Sequence, residues 1–230
     1  MYSGKLQAKP FDVYLADDPH MKKILPIFLA ILSSAAHGQD TSNAKDTTQD
    51  RPWDLYHAIE ARLDTVFDED QSDRKKLEDT AVKHNRRLTD SLWKVITKKD
   101  AGNLVKVKDV LDHYGWLGVD DIGEKANMTL FLVIQHADSL TQVTYLPMMR
   151  TAVQKGKAKP DQLALLEDRV LTRQGKPQIY GSQVRTGKTG KYEFFPIADE
   201  RNVNKRRSSA GLEPLEVYAR YFGIEYHLPK

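Results

Sequence analysis

From Trp53 onward the apolar residues fall at helical spacing. Trp53, Tyr56, Ile59, Leu63 and Phe67 recur at steps of three and four, which puts them on one face of a helix. The stretch SDRKKLEDTAVKHNRRLTDSLWKVI continues the theme, with Leu77, Val82, Leu88, Leu92, Val95 and Ile96 set among many charges. It predicts more helix with a solvated outer face. LVKVKDVLDHYGW predicts a short helix stopped at Gly115 by a left-handed cap. Residues 124–135 carry the run MTLFLVI, whose length and lack of turn residues predict a buried central helix rather than a strand. Ser139 and Gln142 have the spacing of a capping box, so a helix is expected from there to about Gln154, bent at Pro147. Pro160 opens the next helix, with Leu163, Leu166 and Val170 as its core stripe and Gly175 at its end.

After Gly175 the pattern changes. PQIYGSQV and KYEFFPIA are β-prone, and the glycine-rich RTGKTG between them predicts a β-hairpin at about residues 177–198. DERNVNKRRSSAGLE reads as a polar loop. Pro214 then opens a last helix with Leu215, Tyr218 and Phe222 on one face. The expected fold is predominantly α (α+β): one α-rich domain over residues 52–230, with a small C-terminal β-hairpin.

Composition narrows the partners. The chain has 230 residues, 40% hydrophobic and 29% charged, enough for one domain with a core. A formal net charge of +3 sets up no strong field, so no nucleic acid is expected as a partner. The absence of cysteine excludes disulfides, thiolate catalysis and cysteine-ligated zinc.

The N-terminus adds a location. Met21-Lys22-Lys23 precedes an apolar run from Ile24 to Leu32, then the small-residue stretch Ser33-Ser34-Ala35-Ala36-His37-Gly38. This is the layout of a secretory signal peptide, and the run is too short for a membrane helix, which needs about 20 residues. The expectations are a signal peptide at 21–38 and a disordered polar leader at 39–51. Residues 1–20 would lie upstream of a true start at Met21. The mature chain would have no membrane span and would be periplasmic or secreted.

The search for chemistry begins with a near miss. Gly187-Lys188-Thr189 ends like a phosphate-binding loop, but five residues separate Gly181 from Gly187 where that loop has four. The stretch also turns back into KYEFFPI instead of opening a helix. There is no G-x-S-x-G elbow and no H-E-x-x-H. His57, His84, His113 and His136 do not fall at metal-ligand spacing, so neither a metal nor another cofactor is expected.

What stands out is a set of polar residues in apolar surroundings. His136 ends the most apolar helix and is the candidate general acid/base. The alternative is a helix-end histidine bonded to carbonyls, with Asp138 capping the next helix. Asp168 and Arg169 interrupt a leucine-rich helix about 100° apart, so each must find another partner. Arg169 would hold an anion through its planar fork; otherwise the two form salt bridges from helix to hairpin. Gln178, Tyr180 and Gln183 flank Gly181, where a bulge would gather amide, phenol and amide on one side for a polar ligand. An exposed edge strand is the alternative there. Arg206 and Arg207 beside a helix start would clamp a phosphate or carboxylate, or else lie in a solvated basic loop.

Five motifs fall in one order: Gly115-Trp116, Gln135-His136-Ala137-Asp138, Leu166-x-Asp168-Arg169, Gln178-x-Tyr180-Gly181-Ser182-Gln183, and Arg206-Arg207 with Gly211-Leu212-x-Pro214-Leu215. Together they resemble a widespread bacterial domain family of unknown function, over about residues 115–218. Serine stands at 182 where the family pattern has threonine, which keeps the hydroxyl. The resemblance implies a spatial grouping of these residues and no reaction.

Two functions follow as expectations. One is a polar pocket or interaction domain taking a small polar or anionic ligand. The other is a metal-independent hydrolase or transferase with His136 as its acid/base.

Overall fold

The computed structural model of the chain describes residues 52–77, 79, 82 and 85–229. The upstream segment, signal peptide and leader expected before residue 52 lie outside these. Among the described residues the order is five longer helices, a two-stranded antiparallel hairpin and two short helices. They are α1 (Pro52–Lys76), α2 (Arg86–Tyr114), α3 (Val119–His136), α4 (Ser139–Gln154), α5 (Pro160–Arg173), β1 (Val184–Thr186), β2 (Tyr192–Phe194), α6 (Val203–Ser209) and α7 (Leu215–Tyr221). The α-rich chain with its C-terminal hairpin is the fold expected from the apolar periods. No helix among the described residues is long and apolar enough to cross a membrane.

α3 is the axis of the main core. Every residue from 126 to 135 is buried, so the unbroken apolar run is explained by cover on all sides. Each side chain such as Leu130, Phe131 or Ile134, 0% exposed, contributes about 1.5–3 kcal/mol by leaving water. α1 and α2 pack on one flank through Ile59, Leu63, Val66, Val107, Val110 and Leu111. α4 and α5 pair with each other, and Tyr145, Met149, Leu166 and Val170 join the same core. The stripe on α1 departs from its spacing at two points: Trp53 is 64% exposed, and Val66 joins Ile59 and Leu63 in the core. The expected short helix before Gly115 is the end of α2, which runs for 29 residues.

Helix ends follow local acceptors. Asn85 starts α2 by accepting the Leu88 N–H. α4 starts on Asp138, not on the expected Ser139–Gln142 capping box. The Asp138 carboxylate takes both the N–H and the hydroxyl of Thr141, at 2.9 and 2.7 Å. A carboxylate accepts more strongly than a serine hydroxyl at a helix start, where orphan N–H groups converge. Gln142 is thereby free to turn inward, where its amide donates to the Gln135 carbonyl. Pro147 sits inside α4 on its exposed side.

The C-terminal elements form a second, smaller core of Val203, Leu215, Tyr218 and Phe222, covered by Val184, Tyr192, Phe194, Ile197 and Tyr226. The hairpin pairs Val184 with Phe194 and Thr186 with Tyr192. Two expectations fail here. The stretch 203–209, read as polar loop, is α6, which needs only Val203 and the Arg207 side chain inside. The stretch 177–183, read as strand, keeps just an isolated bridge from Gln178 to Ile197. Beyond Gln178, which donates to the Pro196 carbonyl, its N–H groups are spent elsewhere, and a strand cannot form a ladder without them.

Candidate functional site

Asp168 takes three of those N–H groups. Its carboxylate is 0% exposed on α5 and accepts from the backbone of Ile179 at 2.6 Å, Tyr180 at 3.0 and 3.2 Å, and Ser182 at 2.9 Å. Gly181 makes the wrap possible. It sits at φ 72°, a region closed to most side chains, and an added Cβ would come within 2.9 Å of Leu215. Burial pushes the Asp168 carboxyl up, and the amide donors of Ser182, Tyr180 and Ile179 pull it down; the balance leaves it raised.

The amides and arginines close the same loop. Gln178, 0% exposed, donates to the carbonyls of Gln183 and Phe195 and accepts the Gln183 N–H at 2.8 Å. The Gln183 side chain donates to Ser182 Oγ. Arg207, 1% exposed, donates to the carbonyls of Tyr180 and Glu213 and lies 4.8 Å over the Tyr218 ring. Tyr218 in turn donates to the Ser182 carbonyl at 2.9 Å. Arg206 donates to the carbonyls of Ile179, Ala198 and Asp199. Asp168, Gln178, Gln183, Arg206 and Arg207 therefore meet around the backbone of Tyr180. They tie loop, α5, α6 and α7 to one another. The Tyr180 phenol is pushed up by burial and by the neighbouring carboxylates of Glu167 and Asp168.

His136 stands in another place. Its Nδ1 lies 3.1 Å from Oδ1 of Asp70 on α1. Asp70 is 1% exposed in its side chain and His136 is 22% exposed. Oδ1 also takes Arg74 at 2.9 Å, and Oδ2 takes Gln71 at 2.6 Å. Burial alone would push the Asp70 carboxyl up; His136, Arg74 and Gln71 overcome it and hold it at about 2. An ionised Asp70 only accepts, so in this contact Nδ1 of His136 is the donor. Asp138 caps α4, as the structural alternative for this segment had it.

Arg169 lies between the two groups, with Nη1 3.4 Å from the Gln135 carbonyl, and Arg173 donates to the Ala137 carbonyl at 2.8 Å. Both arginines thus meet the end of α3 on either side of His136 in the sequence. A separate concavity of about 210 Å³ is lined by Trp53, Tyr56, Asp120 and Asp121, at the opposite end of α3.

Asp70 was not legible as a partner. It lies in a charged run 66 positions before His136, and only the packing of α1 on α3 joins them. Tyr218 was legible only as a core residue, and its hydroxyl bond to the loop carried no sequence signal.

A model described as a family of unknown function (DUF6624) matches residues 59–229 of the chain. No curated protein and no solved structure matches it.

Proposed function

The chain belongs to this family of unknown function, DUF6624, and from the geometry at the end of α3 we propose that it binds a small polar or anionic ligand at the Asp70–His136 pair. His136 exchanges a proton with that ligand. One observation carries the reading: Nδ1 of the partly exposed His136 imidazole lies 3.1 Å from Oδ1 of the buried Asp70 carboxylate, which would fix the imidazole's tautomer. That is the arrangement by which an imidazole serves as general acid or base. Where the ligand has a labile bond, the chemistry is metal-independent hydrolysis or group transfer with His136 as acid/base. The basic, apolar and small-residue pattern of residues 21–38 supports export to the periplasm or beyond.

A binding-only version of this reading is favoured by the Asp168 network. Asp168, Gln178, Arg206 and Arg207 spend their polar groups on backbone, which suits a rigid scaffold.

The test is thermal stabilisation of the mature domain by a panel of phosphorylated, carboxylated and glycosyl compounds, read for wild type, His136→Gln and Asp70→Asn. The proposal expects a compound that raises Tm in wild type and loses its effect in both variants. A compound that stabilises all three proteins equally would overturn it. Turnover of that compound, lost in His136→Gln, separates catalysis from binding.

A further inference from the structure

The last part of α1 is held differently from the rest. Residues 68–76 read DEDQSDRKK, with no apolar side chain, whereas Ile59, Leu63 and Val66 just before them are core. Ion pairs take over where the core stops. Asp68 pairs with Lys125 of α3 at 2.9 Å and Glu69 with Lys106 of α2 at 2.8 Å. Asp70 meets His136 of α3, Asp73 meets Lys99 of α2, and Arg74 forks onto Asp100 of α2 at 2.9 and 2.7 Å. Arg74 also meets Asp70, and Lys76 meets Asp73, within the segment itself.

We propose that residues 68–76 form an ionic strap that lifts and reseats as one unit, and that its position assembles or dismantles the Asp70–His136 pair. The strap rests on the reading of that pair as the ligand site. Ionic strength is its control. Charges on an open segment regain water, so opening loses pair energy but recovers hydration, and the two nearly offset. Apolar burial, which salt would reinforce, is absent from these residues. Dissolved salt screens the exposed pairs at Lys106–Glu69 and Lys125–Asp68 most strongly, within a Debye length that falls from about 30 Å at 0.01 M to about 10 Å at 0.1 M. Opening carries Asp70 away and leaves His136 without the carboxylate that fixes its tautomer.

Amide hydrogen exchange on the mature domain, without ligand, tests this. Between about 20 mM and about 500 mM NaCl, exchange in residues 68–76 should accelerate roughly tenfold while residues 126–134 stay unchanged. Lys106→Met should exchange fast in this segment already at low salt, with the His136 ring resonances shifted to their high-salt positions. Lys125→Gln gives the same reading from the other helix should the first variant fold poorly. Exchange indifferent to salt, or residues 68–76 opening only together with residues 126–134, would overturn the strap. Either result leaves the ligand test on His136→Gln standing by itself.

Discussion

The carboxylate of Asp168 and the backbone N–H of Ser182 lie 2.9 Å apart, and the contact joins the large helical core to the small C-terminal one. Asp168→Asn keeps the shape but gives the loop one acceptor oxygen in place of two and faces an N–H with an NH2. We expect a loss of about 2–3 kcal/mol, the scale for an unsatisfied buried donor. Chemical denaturation followed by circular dichroism measures it, and a loss below the error of the midpoint would refute the role given to Asp168.

Gly181→Ala tests the wrap itself. The left-handed backbone and the 2.9 Å approach to Leu215 both oppose a Cβ, so a cost of about 1–3 kcal/mol is expected. Gly190, also at positive φ but with open space around its Cβ, should lose less under the same change. The order of the two midpoints is the observable.

Arg207→Lys should destabilise by about 2–4 kcal/mol. One ammonium cannot reach the Glu213 and Tyr180 carbonyls and also stack on Tyr218 as the planar fork does. Lys205→Arg, on an exposed position of the same helix, is the control and should be neutral within about 0.5 kcal/mol.

Acid should expose Asp70. Its carboxyl is held at about 2, below the ordinary 3.8, so the stability it brings is present above pH 4 and is lost as pH falls from about 4 to about 2. The shift corresponds to about 2 kcal/mol. Asp168 has the opposite sign: burial raises its carboxyl, so the proton-linked part of its stability falls as pH rises, while its oxygens go on accepting the N–H groups of Ile179, Tyr180 and Ser182. Subtracting the pH–stability curve of Asp70→Asn from that of wild type isolates the first effect. A flat difference between pH 4 and 2 would contradict the pairing with His136.

Residues with an apolar face to bury announced their structure. The run 126–135, the leucines of α5 and the end of α2 at Gly115 all read correctly, because hydrophobic period and glycine act locally. Polar partners did not announce theirs. Asp168 was legible as a residue needing a partner, but nothing local said that its partner was three backbone amides. Those amides erased the strand that Gln178 and Tyr180 had suggested. α6 was missed because its inward face is Val203 and an arginine, and no apolar count can see a buried guanidinium. The resemblance foresaw that Asp168, Gln178, Arg206 and Arg207 would meet; it grouped His136 with them, and the structure sets His136 against Asp70.

The sequence separations around Asp168 also predict an order of folding. The contacts of the Asp168 nest close loops of 11 to 14 residues, whereas Arg207 reaches back 27 and Tyr218 reaches back 36. Short loops close first and at lower entropic cost. Once α5 exists, the turn around Gly181 can set on it before α6 and α7 arrive. The nest then serves as the mould on which the last fifty residues are cast, and a chain with a faulty nest would reach its helical body on schedule and stall with its tail unplaced.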